Sequence, residues 1–345
     1  MDTCIPVILC IDVEPDSARP DPNPNPHARW RGFERLYPYL RNLRLHIAEA
    51  TGKPVRFNWF WRMDPQVEAV HGSAEWALRR YAAQVAETIQ AGDAHGLHTH
   101  AWRWDARAGW VKGHDDPSWV ESCLMTSCKA FRSVFAKPCE SIRMGDRYFD
   151  DRIRGLVDRL GVRFDLTVEP GETALPAATT TSLPDYGSVR TRPYRPSVED
   201  FRKQDEGRTE GVWIIPLTAG VMPGEGLKWR RYLRRRWSSV GPIPHGYGTL
   251  RLWEPPELVQ PAIDNALTRS EKPYLAFAIR SDVLSIPWWS ANCRRNLEGL
   301  LRQHEWKRFL FCSPDEALSR LGLAVPAWTG EPQPPARRTD IGPVM

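Results

Sequence analysis

Two histidines one residue apart form the motif in this sequence that most directly indicates chemistry. They are His98 and His100, at the end of a short predicted strand. Because side chains alternate across a strand, both imidazoles emerge on one side, close enough to hold one metal ion. Two imidazoles make an incomplete site, since zinc usually takes a third protein ligand. The alternative is an exposed or buried histidine pair that binds no metal.

Carboxylates that could complete such a site follow other predicted strands. The apolar run Ile5 to Ile11 is typical of a strand covered on both faces, and Asp12 and Glu14 come directly after it. Asp64 follows the second predicted strand in the same way. A capped strand end or a helix cap is the alternative for each of these residues.

Strands and helices alternate along most of the chain. Strands are predicted over residues 5–11, 54–61, 141–143, 162–168, 212–216, 274–279 and 308–312, with a short one before the histidines. Helices are predicted from about 33 to 52, 73 to 92, 117 to 136 and 150 to 160, and residues 169–211 are predicted to be irregular. This alternation predicts a parallel sheet with both faces covered.

Polar residues recur where the predicted strands end, and in a barrel those ends meet at one mouth. An open doubly wound sheet is the competing architecture, but it would gather ligands at one crevice. The sequence contains no glycine-rich dinucleotide loop and no phosphate-binding P-loop. The polar groups at these strand ends are Asp12, Glu14, Asp64, His98, His100, Arg143, Asp146 and the segment 280–282.

Five short motifs, in order, resemble those of the polysaccharide deacetylase (NodB-homology) family. They are residues 9–14, 96–100, 142–145, 160–165 and 215–218, so the resemblance covers roughly residues 5 to 318. It implies an α/β fold, a distorted (β/α) barrel of about seven parallel strands. It also implies a divalent metal, commonly zinc, and hydrolysis of an N-acyl group on an amino sugar.

The resemblance also implies roles for particular residues. Asp12 would be the catalytic base, Glu14 and His98 would be metal ligands, and Arg143 would orient the catalytic carboxylate. An exchange of the roles of Asp12 and Glu14 stays open. Trp61, Trp102 and Asp146 are the predicted substrate contacts.

The chain departs from the family pattern at two places. The family pattern usually separates its two histidines by three residues, which puts the second at the position of Trp102, so His100 would have to replace it as a ligand. The strand that should deliver a histidine as general acid delivers Arg280 instead, which could stabilise an oxyanion. Asp64 and His245 are then candidates for the proton donor.

The composition of the whole chain limits its class. With 345 residues we expect one barrel domain over 1–322 and a proline-rich, flexible tail over 323–345. A net charge of +5 is too small to indicate a nucleic-acid-binding protein. The seven scattered cysteines indicate reduced thiols and the cytoplasm, and no apolar run is long enough to cross a membrane.

A second distinctive stretch is basic and amphipathic. At helical spacing, residues 228–237 place two tryptophans and a leucine in one stripe with arginines beside it. A helix that packs on the barrel with a solvated basic face is one interpretation. The other is peripheral contact with anionic lipid headgroups or with a lipid-linked sugar.

These observations predict a metal-dependent deacetylase that acts on an N-acylated sugar or a lipid-linked saccharide. A metal-free hydrolase of another small amide is one alternative, which the positions of Trp102 and Arg280 suggest. A catalytically inactive relative that binds saccharides through its tryptophans is the other.

Overall fold

The protein is built around a parallel β-sheet, and its computed structural model describes residues 4–16, 29–172, 184–221, 247–268 and 270–323. The strands are β1 (Ile5–Val13), β2 (Asn58–Trp61), β3 (Ala94–Leu97), β4 (Trp102–Asp105), β5 (Gly109–Lys112), β6 (Ser141–Ile142), β7 (Phe164–Asp165), β8 (Trp213–Ile214), β9 (Ala219–Val221), β10 (Tyr247–Thr249), β11 (Leu275–Arg280) and β12 (Phe309–Phe311). The helices are α1 (Arg31–Thr51), α2 (Pro65–His71), α3 (Trp76–Arg80), α4 (Ala82–Gln90), α5 (Pro117–Phe135), α6 (Asp151–Arg159), α7 (Pro256–Thr268), α8 (Pro287–Leu300) and α9 (Pro314–Arg320).

Seven parallel strands form the barrel wall in the order β11-β1-β2-β3-β6-β7-β8, and β12 also pairs with β1. Backbone hydrogen bonds close the gap between β8 and β11: the Thr218 amide donates to the Ala276 carbonyl at 3.0 Å, and the Ala278 amide donates to the Leu250 carbonyl at 3.1 Å. The predicted distorted (β/α) barrel of about seven parallel strands is therefore confirmed. The strand ends named from the sequence all lie at one mouth.

Side chains alternate along each strand, and this alternation decides which residues face the barrel interior and which face the helices. In β1, Ile8 and Cys10 belong to the apolar cluster inside the barrel, whereas Val7, Leu9 and Ile11 pack towards the helices. Residues two apart share a face, so Asp12 continues the inward row at the mouth. Glu14, just after the strand, continues the same row.

Helices α2 and α5 begin with side-chain caps. Asp64 accepts hydrogen bonds from the amides of Gln66 and Val67 at the start of α2, and Asp116 caps α5 in the same way. Such caps satisfy amides that have no partner within the helix. Gly52 ends α1 in the left-handed region with a φ of 65°, as its position after the predicted helix indicated.

The structure adds elements that the sequence patterns missed. Residues 102–112 form the antiparallel hairpin β4–β5, and α7, α8 and α9 were not predicted. The single helix predicted from 73 to 92 is divided into α3 and α4. His98 and His100 follow β3 and are not part of it, which is a small correction to the predicted strand.

Among the described residues, no helix combines the length and the apolar character that crossing a membrane requires. The basic stretch 228–237, His245 and the end of the chain after residue 323 lie outside the described residues. The predictions about them stay predictions.

Candidate functional site

The two histidines converge as the sequence predicted, although they leave the strand first. Nε2 of His98 lies 3.1 Å from Nε2 of His100, and both side chains are buried. Below them, β3 packs closely on its neighbours at Gly96, where a Cβ would lie 2.5 Å from the Ser141 carbonyl oxygen and 2.8 Å from Phe60. The histidine pair therefore lies at the mouth, above a tightly packed part of the wall.

Glu14 completes a group of three potential metal ligands. Its Oε2 lies 3.2 Å from Nε2 of His100, and its Oε1 lies 3.5 Å from Nε2 of His98. Ligand atoms about 2.0–2.2 Å from a tetrahedral zinc lie roughly 3.3–3.5 Å apart, so these separations fit one ion. Within the described parts of the chain, this is the group of histidine, cysteine and acidic residues that could hold a metal. One carboxylate and two imidazoles suit a divalent cation and leave a coordination position for substrate or water.

His98 has the tautomer that such a site needs. Its Nδ1 lies 2.7 Å from the carbonyl oxygen of Arg143, which can only accept a hydrogen bond. Nδ1 must then carry the proton, and Nε2 presents its lone pair to Glu14 and His100. Asp12 lies 3.7 Å from Nδ1 of His98, on the side away from Nε2. The geometry therefore favours Glu14, and not Asp12, as the ligand that shares an ion with His98.

His100 has two partners at Nδ1 that require opposite tautomers. A carboxylate oxygen of Asp146 lies 3.3 Å away and calls for a proton on Nδ1. The indole N–H of Trp102 lies 3.0 Å from the same nitrogen and can only donate to it. If Trp102 prevails, the proton of a neutral ring moves to Nε2 and blocks metal binding. If Asp146 prevails, Nε2 is a ligand.

The turn that carries Asp146 is built around the ring of His100. A Cβ on Gly145 would lie 2.1–2.4 Å from atoms of that imidazole, so glycine is required there. Asp146 itself has a φ of 53°, in the left-handed region that costs a residue with a side chain some strain. Its carboxylate also lies 3.0 Å from Nζ of Lys112. Burial acts against ionisation, but His100 and Lys112 hold the pKa of Asp146 below its usual value.

We expect the two partners of His100 to affect metal affinity in opposite directions. Asp146→Asn should weaken divalent-metal binding by about 10–100-fold, because it removes the carboxylate that holds the proton on Nδ1. Trp102→Phe should keep or improve the affinity, because it removes the competing donor. Titration of metal-free protein with zinc by calorimetry measures both. Equal losses in the two variants would contradict this explanation.

Asp12 is held in place by a buried arginine. Nε of Arg143 donates to both Asp12 carboxylate oxygens at 3.0 Å, and Nη1 donates to the Leu166 carbonyl at 2.7 Å. Its Nη2 lies 3.4 Å from Glu169. Although burial opposes it, Asp12 and Glu169 raise the pKa of Arg143, so the guanidinium stays charged. Arg143 and Asp12 are thus paired at the mouth of the barrel.

Arg280 lies directly against the potential metal ligand. Its Nε donates to Oε1 of Glu14 at 2.9 Å, and its Nη2 donates to Asp282 at 2.8 Å. Burial disfavours a charged carboxylate, but Arg280 and His98 hold the pKa of Glu14 well below its usual value. Glu14 is therefore anionic and ready to bind a cation.

Two other predicted site residues are placed differently from the rest. Both oxygens of Asp64 are used: they accept from the first amides of α2, from Nε of Arg62 at 2.8 Å and from the His100 amide at 3.0 Å. Asp64 thus holds the backbone of His100 and is not available as a proton donor.

Trp61 is 1% exposed and packs against Phe33 of α1, because the alternation in β2 turns Phe60 inward and Trp61 outward. The predicted substrate contact at Trp61 is not at the mouth.

Three charged residues of the site were missed from the sequence. Glu169, fully buried beside Arg143, comes directly after the strand predicted over 162–168, and this position could have revealed it. Burial opposes its ionisation, but Arg251 and Arg147 lower the pKa of Glu169 to about 2. Arg62, 3.8 Å from Glu14, has the same signal, because it comes directly after the strand predicted over 54–61, whereas Lys112, on the hairpin, has none.

Comparisons with known proteins find likeness in structure alone. No protein-family model matches the chain, and no curated protein matches it. A solved structure of a proposed polysaccharide deacetylase from Mycobacterium smegmatis is similar, with 11% identity, 95% of each chain covered and a TM-score of 0.49.

Two further solved structures are similar at comparable levels. One is a proposed glycoside hydrolase/deacetylase from Parabacteroides distasonis, with 13% identity, a TM-score of 0.49, and coverage of 90% of this chain and 69% of that one. The other is the allantoinase Puue, with 12% identity, a TM-score of 0.46, and coverage of 92% and 91%.

Proposed function

We propose that this chain is a metal-dependent hydrolase that removes an N-acyl group from an amino sugar or a saccharide that contains one. The observation that carries the proposal is the cluster of Glu14, His98 and His100 beside a carboxylate, Asp12, that is held by its own arginine. A metal site and an adjacent, oriented base are the two parts that hydrolysis of an unactivated amide needs.

Glu14, His98 and His100 would hold the metal, with zinc the ion that their chemistry suits best. A bound divalent ion would lower the pKa of a water molecule to about 7 and polarise the acyl carbonyl. Asp12 would accept the proton from the attacking water. Arg143 keeps both oxygens of Asp12 fixed for this step, and Glu169 keeps Arg143 in place.

Arg280 would assist at the acyl oxygen. Its side chain is 34% exposed, so it reaches the open mouth although it is paired with Glu14 and Asp282. A guanidinium in that position can donate hydrogen bonds to the negative oxygen that forms when water adds to the acyl carbon.

Asp282 is the carboxyl group that we assign as proton donor to the departing amine. It lies at the mouth, after β11, in contact with Arg280. Burial raises the pKa of Asp282 above its usual value, although Arg280 opposes this. A carboxyl group that keeps its proton nearer to neutral pH can supply it to a leaving group.

The decisive experiment measures metal content and hydrolysis in the same preparations. We expect nearly one divalent ion per chain in the wild type and in His304→Ala, which changes an exposed histidine, and loss of the ion in His98→Ala. Release of acetate from N-acetylated oligosaccharides should fall in parallel, and a chelator should abolish it until metal is restored.

Two results would contradict the proposal. Full hydrolysis by metal-free protein would indicate a metal-free amide hydrolase. Saccharide binding without metal and without hydrolysis would indicate an inactive relative.

A further inference from the structure

One face of the β4–β5 hairpin carries three tryptophans and a lysine in a row that starts at the candidate site. Residues directly opposite in an antiparallel pair share a face, and Trp102 is opposite Lys112 while Trp104 is opposite Trp110. Side-chain contacts agree with this register. Nζ of Lys112 lies 5.7 Å from the Trp102 ring centre, and the rings of Trp104 and Trp110 lie 5.4 Å apart at 74°.

The inner pair of this row belongs to the site already described. Trp102 donates to His100, and Lys112 contacts Asp146. The outer pair lies two residues further along the strands, which places it about 6–7 Å further from the histidines. The row thus runs outward from the reacting centre along a rigid two-stranded support.

Trp104 differs from the other tryptophans of the row in exposure. It is 49% exposed, whereas Trp110 is 6% exposed and Trp102 is 4% exposed. The ring of Trp110 packs against the ring of Trp104. Gly109 also lies close to the Trp104 ring, since a Cβ on Gly109 would be 3.7 Å from it. The indole is therefore held in place by its neighbours while about half of its surface faces solvent.

We propose that Trp104 forms an outer sugar-binding subsite, where its indole stacks on the pyranose ring of a unit next to the acylated one. This inference rests on the proposed function, and it adds that the substrate is an oligosaccharide or polysaccharide. The apolar C–H face of a pyranose matches a flat indole, and a preorganised ring loses little freedom on binding. Because the row of tryptophans begins at the candidate site, a saccharide bound there would extend along the row to Trp104.

A membrane surface fits this face less well. Trp104 stands between two charged and exposed neighbours, Arg103 and Asp105, and Asp105 is fixed in the turn by hydrogen bonds from the amides of Arg107 and Ala108. Insertion into lipid would bring the Asp105 carboxylate against anionic headgroups. A contiguous apolar patch, which interfacial binding needs, is absent from this strand.

Calorimetric binding of the β-1,4-linked tetramer and of the monomer of N-acetylglucosamine tests the subsite without relying on hydrolysis. For Trp104→Ala we expect about tenfold weaker binding of the tetramer and unchanged binding of the monomer. Trp104→Tyr should recover most of the loss. Arg103→Ala, on the opposite face of the same strand, is the matched control and should bind both sugars as the wild type does.

Three outcomes would overturn the subsite. They are unchanged tetramer binding in Trp104→Ala, equal losses for tetramer and monomer, and no tetramer binding by the wild type. Binding to anionic lipid vesicles that depends on Trp104, without sugar binding, would assign the face to a membrane instead. Weakened tetramer binding in a protein that releases no acetate would support the subsite and contradict the proposed hydrolysis.

Discussion

Asp12→Asn should reduce kcat for release of acetate from an N-acetylated saccharide by about 10²–10⁴-fold, the usual contribution of a general base. The amide has nearly the size of the carboxylate but cannot accept the proton of an attacking water. Arg143 keeps its bonds to the Leu166 carbonyl and to Glu169, so the fold should survive. Metal content should therefore stay at the wild-type level.

Glu14→Gln is the matched comparison, because it makes the same chemical change in the next residue of the inward row. It should lose the metal, since the neutral amide is a poor ligand and Arg280 would keep only Asp282 as an anionic partner. Measuring kcat and metal content for both variants distinguishes the two carboxylates. If Asp12→Asn lost the metal and Glu14→Gln kept it, the assigned roles would be reversed.

Asp64→Ala should destabilise the fold by about 3–5 kcal/mol, far more than the loss of an ordinary helix cap. The carboxylate caps α2, holds the His100 amide and pairs with Arg62, whose side chain is completely buried. Removing the Asp64 carboxylate leaves the buried positive charge of Arg62 without its nearest negative partner. Urea unfolding followed by circular dichroism gives the free energy of unfolding.

Asp116→Ala provides a control for the cap alone. Asp116 accepts from the first amides of α5 at 3.1 and 3.2 Å, much as Asp64 does in α2, but its side chain is 39% exposed. Its loss should cost about 1 kcal/mol. Similar costs for the two variants would show that the contacts of Asp64 with Arg62 and His100 add little.

The parts of the site that sequence could predict are those fixed by strand ends. The run Ile5 to Ile11 places Asp12 and Glu14 at the mouth whatever the details of the sheet. The convergence of Arg143 with Asp12 also followed from parallel strands that end together. These inferences needed only the existence of each strand and its direction.

Other features depend on quantities that a sequence pattern does not contain. Because β2 has aromatic residues on both faces, the sequence alone does not show whether Phe60 or Trp61 faces the barrel interior, and the prediction that Trp61 lies at the mouth was wrong. The contact between Asp64 and the His100 amide depends on the packing of the loops after β2 and β3. The hairpin β4–β5 has strands of only four residues each, so the alternation of tryptophan with charged residues in β4 was too short to indicate a strand by itself.

The contact between Gly145 and the ring of His100 links two segments of sequence that lie more than forty residues apart. Any side chain at position 145 would displace the ring of His100. A histidine two residues after His98 can therefore occupy this position only if residue 145 is glycine. In a genome, a histidine pair of this spacing would indicate this kind of site only when the later turn also has glycine immediately before its aspartate. The two segments together are a more selective signature than either alone, and they can be searched for without a structure.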